Sequence, residues 1–273
     1  MKKTWRGMCA AWMAMALLVS VGTLSAAANA ENAAAKGDGD GSGVVTVYVT
    51  RHGRTLFNTM DRAQGWADTP LTQEGIAVAE DLGRGLRDVR FHAVISSDLT
   101  RARQTARLVM AQNKASSGYL LDESAMLREA CYGSFEGDFN TNMITAMAEA
   151  GGYADAASFM AESGPLMWYN SANYAKQLDT SGMAEDGETI KTRMQSKLRE
   201  VAEAQAQRGG GTVLLVAHGM SINIMLSDLD AAFNYTGTAL ANASVCKLVY
   251  KDGAFTIESF NDVSYIEAGK QLR

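Results

Sequence analysis

Residues 45–58 read VTVYVTRHGRTLFN. The first half is apolar and β-branched, the composition of a strand buried on both faces of a parallel sheet. The run stops at Arg51-His52-Gly53. The chain has 3 histidines in 273 residues, and one of them stands between an arginine and a glycine at the end of this strand. A second stretch repeats the pattern: TVLLVAHG, residues 212–219, also closes an apolar run on a His-Gly pair, His218-Gly219. The third histidine, His92, opens a strand instead of closing one, which points to a structural role.

Outward from these two stretches, strand and helix signals alternate. Residues 72–88, TQEGIAVAEDLGRGLRD, have helical character with Thr72 placed as N-cap. HAVISS, 92–97, is a short strand. DLTRARQTARLVMAQN, 98–113, is helical, with Asp98 expected as its cap. A long helical pattern over 187–208 is broken by Gly209-Gly210-Gly211, and MSINIMLSDL follows the strand at 212–217 as a further helix. ASVCKLVYKDGAFTIESF has the form of an antiparallel hairpin turning at Lys251-Asp252-Gly253. The expected fold is therefore three-layer α/β: a mostly parallel sheet, helices on both faces and a C-terminal β-hairpin. Residues 138–186 interrupt the alternation. They are rich in Ala, Met, Gly and aromatics, and are expected to form a helical insertion that serves as a lid or pocket wall.

The first thirty residues have another character. Lys2, Lys3 and Arg6 precede an apolar stretch from Met8 to Leu24, then small residues ending Ala28-Asn29-Ala30. This is the pattern of a secretory signal peptide with an A-x-A cleavage site, so export to the periplasm or the medium is expected, with no stable membrane anchor after cleavage. ENAAAKGDGDGSG, 31–43, is a Gly-rich flexible tether, and the domain proper is expected over 44–273. Asp38, Asp40 and Ser42 resemble the start of a calcium loop, but the twelfth position, where a glutamate is needed, is Val49. Cleavage after Ala30 leaves 22 basic against 30 acidic side chains, a net charge of −8. That excess of anions argues against nucleic acid or anionic lipid as a partner. The two cysteines that remain, Cys131 and Cys246, are expected to be free and buried.

In parallel α/β sheets, ligands sit at the carboxyl ends of the strands. Arg51 and His52 end one strand, His218 ends another, and Arg101 lies in the first turn after a third. Two imidazoles and two guanidiniums converging there suit a phosphate, because the guanidinium fork matches phosphoryl oxygens and a neutral imidazole can attack phosphorus. The reaction then needs an acid for the leaving oxygen. Glu129, in LREACYGSFEG (127–137), is the candidate.

At these residues the chain resembles the histidine phosphatase superfamily, the phosphoglycerate mutase-like proteins. RHGRTLFN resembles the signature Arg-His-Gly-x-Thr/Ser-x-x-Asn at Arg51, His52, Gly53, Thr55 and Asn58. GWADTPLTQEG (65–75), SSDLTRARQTA (96–106), LREACYGSFEG and VLLVAHG resemble the segments that follow it in the family. The resemblance implies a phosphohistidine on His52, with Arg51, Arg101 and His218 holding the phosphoryl group and Thr55, Asn58 and the Gly219 N–H assisting. It makes Glu129 the general acid/base, and it implies no metal and no cofactor. Asn58 and His218-Gly219 place the chain nearer the mutases and small phosphatases than the phytases, whose signature is Arg-His-Gly-x-Arg-x-Pro with a His-Asp pair. Arg54 stands where an acidic residue is common, and is expected to add positive charge beside the pocket.

The expected substrate is a small phosphorylated molecule. The insertion 138–186 has Lys176 as its only basic residue against seven acidic ones. A second phosphate would be poorly paired there, so hydrolysis of a phosphomonoester is expected ahead of a mutase reaction. A non-catalytic phosphate binder is the remaining alternative, and such a protein would have no use for Glu129. Trp66, Tyr132, Phe135, Trp168 and Tyr169 are positioned either to line a pocket for the leaving group or to pack the insertion onto the core.

Overall fold

The computed structural model describes residues 41–273. The expected signal peptide, 1–30, and the expected tether up to residue 40 lie outside the described residues. The tether's last residues touch the body: the Gly41 N–H donates to Gly209 O at 3.0 Å.

The described residues form a six-stranded sheet in the order β3-β2-β4-β1-β5-β6. The strands are β1 (Val45–Arg51), β2 (Ala93–Ser97), β3 (Leu121–Ser124), β4 (Gly211–Ala217), β5 (Val245–Lys251) and β6 (Ala254–Asp262). β1 runs parallel to β4, and β2 runs parallel to both β3 and β4. β5 is antiparallel to β1 and to β6. The hairpin turns on Asp252 and Gly253, with φ of 52° and 85°. Two successive left-handed residues match the twist of the flanking strands, which Asp-Gly supplies at low steric cost.

The period of two along each strand creates the layers. On β1 and β4, Val47, Val49, Val213 and Leu215 face one buried cluster, while Tyr48, Leu214 and Val216 face the other. The second cluster is covered by α2 (Gln73–Gly85), α3 (Thr100–Gln112) and α9 (Ser264–Lys270), and the first by α7 (Gly187–Gln207) and α8 (Gly219–Leu226). The insertion is helical as expected: α4 (Asn140–Ala150), α5 (Ala156–Ser163) and α6 (Met167–Leu178). It is seated on the body, since Met143, Met147, Phe159, Ala172 and Ala175 are buried in the same cluster as β1 and β4. That makes it a wall of the domain.

Thr72 caps α2, accepting from Gly75 N at 3.1 Å. Asp98 does not cap α3. Its carboxylate is taken by Arg128 at 2.8 and 2.6 Å, and the Thr100 N–H is satisfied instead by Asp68 from another loop. Three elements carry no clear signal in the sequence. The short α1 (Leu56–Thr59) is one turn long, the edge strand β3 is mostly polar (LDES), and α9 is too short to display periodicity. Cys131 and Cys246 are buried and free, and burial pushes the Cys246 thiol up to about 12. Among the described residues no helix is long and apolar enough to cross a membrane.

Candidate active site

The register of β1 against β4 builds the site. The last registered pair is Arg51↔Ala217, so His52 and His218 each stand one residue beyond it on adjacent strands, at equal height. The His52 N–H donates to Ala217 O at 3.0 Å, and the two imidazole centroids lie 5.2 Å apart, close to the spacing of neighbouring strands. Both rings are buried.

Each ring is held in one tautomer, and the two tautomers differ. His52 Nδ1 lies 2.7 Å from the carbonyl oxygen of Gly53. A carbonyl only accepts, so Nδ1 carries the proton and Nε2 presents a lone pair. His218 Nδ1 accepts from Arg101 Nε at 3.1 Å. A guanidinium only donates, so the His218 proton sits on Nε2, which is buried and finds no partner within the protein. The site therefore sets one imidazole as a nucleophile beside another as a donor. Burial, together with the charges of Arg101 and Arg51, holds the His52 imidazolium well below the usual histidine range, and burial with Arg101 does the same for His218. Both rings are neutral at pH 7.

Arg51 ends β1 with its Nη1 on Leu240 O at 2.5 Å and its Nε buried without a partner. Burial lowers its pKa, opposed by Glu129, but a guanidinium keeps its charge. Gly219 lies against it: a Cβ there would stand 3.2 Å from Arg51 Nε.

Arg101 is fully buried, and its place differs from the open phosphate grip that the resemblance implies. Nε is on His218, Nη1 donates to Ala67 O and Asp68 Oδ1 at 3.1 and 3.0 Å, and Nη2 donates to Gly65 O and Gln64 O at 2.7 and 3.4 Å. All five N–H groups of the guanidinium meet protein acceptors. Arg101 contributes its charge and sets the donor face of His218.

Glu129 is buried at the N-terminus of α8. Its Oε2 accepts from Met220 N at 3.0 Å, and its Oε1 from Ser221 N and Ala130 N at 2.7 and 3.0 Å. Those helix N–H groups have no intrahelical partner and the dipole favours an anion there.

Thr55 and Asn58 close the turn after His52 through the Thr55 hydroxyl and the Asn58 amide oxygen. The Thr55 hydroxyl accepts from Asn58 N at 3.1 Å and donates to Gln64 Oε1, while Asn58 Oδ1 accepts from Thr55 N at 3.2 Å, a reciprocal cap of α1. Asn242 ties this turn to the site by donating to the His52 carbonyl at 3.1 Å. Arg54 does not charge the pocket: it is paired with Glu74 at 3.1 Å on the surface. Of the five aromatic residues, Phe135, Trp168 and Tyr169 pack against the core. Trp66 Nε1 donates to Glu129 O at 3.0 Å. Tyr132 is buried among the charged groups, its hydroxyl on Met220 Sδ at 3.1 Å, and burial next to Glu129 raises its pKa well above the usual phenol, so it stays a donor.

Sequence reasoning missed several contributors. Glu136 accepts from the N–H groups of Gly65, Trp66, Ala67 and Tyr132 at 2.8 to 3.1 Å, which turns the carbonyls of the 64–67 segment toward Arg101. Glu185, Arg193 and Asn242 also reach the site's backbone. Most of the partners of these four are main-chain groups remote in sequence, which no local pattern reveals. Among the described residues no cluster of side chains could hold a metal ion.

A model of the histidine phosphatase superfamily (branch 1) matches residues 47–263. The chain belongs to that superfamily. A probable phosphoglycerate mutase of Yersinia pestis (strain Pestoides F) is 29% identical over 231 residues, covering 82% of this chain and 96% of that one. A crystal structure of phosphoglycerate mutase from Bacillus anthracis (strain Sterne) superposes with a TM-score of 0.78 at 41% identity, covering 84% of this chain and 98% of that one. The mycobacterial glucosyl-3-phosphoglycerate phosphatase shares the fold, with a TM-score of 0.60 at 23% identity over 80% of this chain and 99% of that one. The superfamily is enzymatic and acts on small phosphorylated substrates, and its phosphoglycerate mutase-like α/β fold is the one observed here.

Proposed function

We propose that the chain is an exported phosphomonoester hydrolase that works through a phosphohistidine on His52. The observation that carries this reading is the opposed tautomers of two imidazoles 5.2 Å apart. His52 Nε2 attacks phosphorus and a P–N bond forms as the P–O bond to the alcohol breaks. Arg51 Nε–H and His218 Nε2–H receive the phosphoryl oxygens, and Arg101 adds charge from behind His218. Glu129 takes up the proton of the substrate's phosphate monoanion and passes it to the leaving alkoxide. In the second step it takes a proton from water, the water oxygen attacks phosphorus, and the P–N bond breaks to release inorganic phosphate.

Water is favoured as the acceptor because the insertion lacks free cations. Its one basic residue, Lys176, is paired with Asp186. A mutase reaction is the second reading, favoured by the names of the Yersinia and Bacillus relatives. Phosphate release from an aryl phosphate, set against isomerisation of 3- to 2-phosphoglycerate, separates the two. We expect release together with an acid-labile label on His52 that is absent from His52→Ala. Brisk isomerisation without release would reverse the order, and full turnover by His52→Ala would end the covalent mechanism. Export rests on residues 1–30, and an exported form beginning at Glu31, read by mass spectrometry, is the expected result.

A further inference from the structure

Arg193 and Glu185 lie outside the set of groups that face the pocket, yet they bracket the backbone that carries Glu129. Arg193 stands in the second turn of α7 and is mostly buried. Its Nη1 donates to Met126 O and Arg128 O at 2.9 and 2.6 Å, and its Nη2 to Glu129 O at 2.9 Å. Its Nε and Nη2 also form a two-point pair with Glu185, both at 2.8 Å. Glu185 closes the bracket from the other side: its Oε2 accepts from Cys131 N at 3.1 Å, and its own N–H donates to Cys131 O at 3.1 Å. Three carbonyls before and at Glu129 and both backbone groups of Cys131 are thus held by one ion pair.

A guanidinium is a rigid planar fork, so three N–H bonds to the segment and two to Glu185 fix the plane of the segment as well as its position. The pair joins the last residues of the insertion to the start of α7. The carboxylate of Glu129 reaches the Met220 and Ser221 N–H groups only when its Cα is held at the right depth. Resting on the hydrolase reading above, we propose that the Arg193–Glu185 pair is a positioning unit for the general acid/base Glu129, acting on proton delivery to the leaving group and leaving the phosphoryl cradle unchanged.

This predicts a dependence on the leaving group. 4-Nitrophenolate departs as the anion and needs little help from an acid, whereas an alkoxide needs the proton. General-acid assistance is worth about 10²–10⁴-fold, and a misplacement of about 1 Å can cost on the order of 10²-fold. Arg193→Lys keeps the charge and loses the fork. Glu185→Gln keeps the size and loses one carboxylate acceptor. In each variant, kcat/KM for glycerol phosphate is expected to fall about 100-fold, while kcat/KM for 4-nitrophenyl phosphate stays within about threefold. Water activation in the second step also needs Glu129, so 4-nitrophenyl phosphate should give a burst of nitrophenolate followed by slow turnover, and the label on His52 should accumulate.

A merely structural role would lower both substrates together. Equal losses, or no loss, in a variant that melts as the wild type does overturns the proposal. If Arg193→Lys does not fold, Glu185→Gln decides alone, and an intact melting transition with an unchanged ratio of the two substrates counts against it. Failure of the hydrolase reading looks different, because the wild type would then release no phosphate from either substrate.

Discussion

Replacing Glu129 by Gln tests how the acid is held, and the structure assigns the sign. The two carboxylate oxygens accept three N–H groups, from Ala130, Met220 and Ser221. An amide has one acceptor oxygen. In its better orientation that oxygen keeps Ala130 and Ser221, and the amide NH₂ then faces the Met220 N–H, donor against donor. One buried N–H left unsatisfied costs about 1–3 kcal/mol, and loss of the anion at the N-terminus of α8 costs about 0.3–1 kcal/mol, up to ~2 in a partly buried setting. Arg51 and Arg101 also lose a counter-charge. Removing a catalytic carboxylate often stabilises a protein, because function is bought with strain. Here the opposite is expected, a loss of about 2–4 kcal/mol. For a domain of this size that lowers Tm by roughly 5–15 °C. The assay is calorimetry of wild type and Glu129→Gln at pH 7, with urea unfolding as a second measure. A variant as stable as the wild type, or more so, would refute the reasoning, since it would mean that the three N–H groups do not hold the carboxylate.

Three further outcomes follow from the same geometry. His52 and His218 stay neutral in the fold, while the unfolded chain binds their protons below about pH 6.5, so stability should fall as pH drops from 6.5 toward 5, by up to about 1.4 kcal/mol per pH unit for each ring, and urea unfolding that gave a flat line between about pH 7 and pH 5.5 would contradict the burial argument. Gly219→Ala places a Cβ 3.2 Å from Arg51 Nε and 3.4 Å from its Cδ, so kcat/KM should drop about tenfold or more with Tm little changed, and unaltered kinetics would show that Arg51 does not grip the phosphoryl group from this side. Gly85→Ala would bring a Cβ to 1.9 Å from Tyr265 O, forcing α9 off α2 at a cost of about 1–3 kcal/mol; steady-state kinetics should be preserved, because α9 contributes no group to the site.

Some features were legible in the sequence because they are local. Buried strands ending in Arg-His-Gly and in His-Gly mark the catalytic edge of a parallel sheet without reference to anything distant, and Thr72 caps its helix through backbone three residues on. The resemblance carried by those motifs located Arg51, His52, Arg101, Glu129 and His218 and the fold that holds them.

What the residues do at the site was decided by groups far away in the chain. Arg101 reads as a phosphate ligand until the carbonyls of 64–67 and the Asp68 carboxylate fill its fork. The Thr55 hydroxyl reads as a ligand until it caps α1 and donates to Gln64, and Arg54 reads as pocket charge until Glu74, twenty residues away, neutralises it. Arg193, Glu185 and Glu136 were invisible because the partners that bring them to the site are backbone groups, identical at every position of a sequence and distinguished only once the fold has aimed them. A motif specifies which donors and acceptors exist, and tertiary structure decides which of them remain free, because each N–H and each lone pair can be spent only where its neighbours allow.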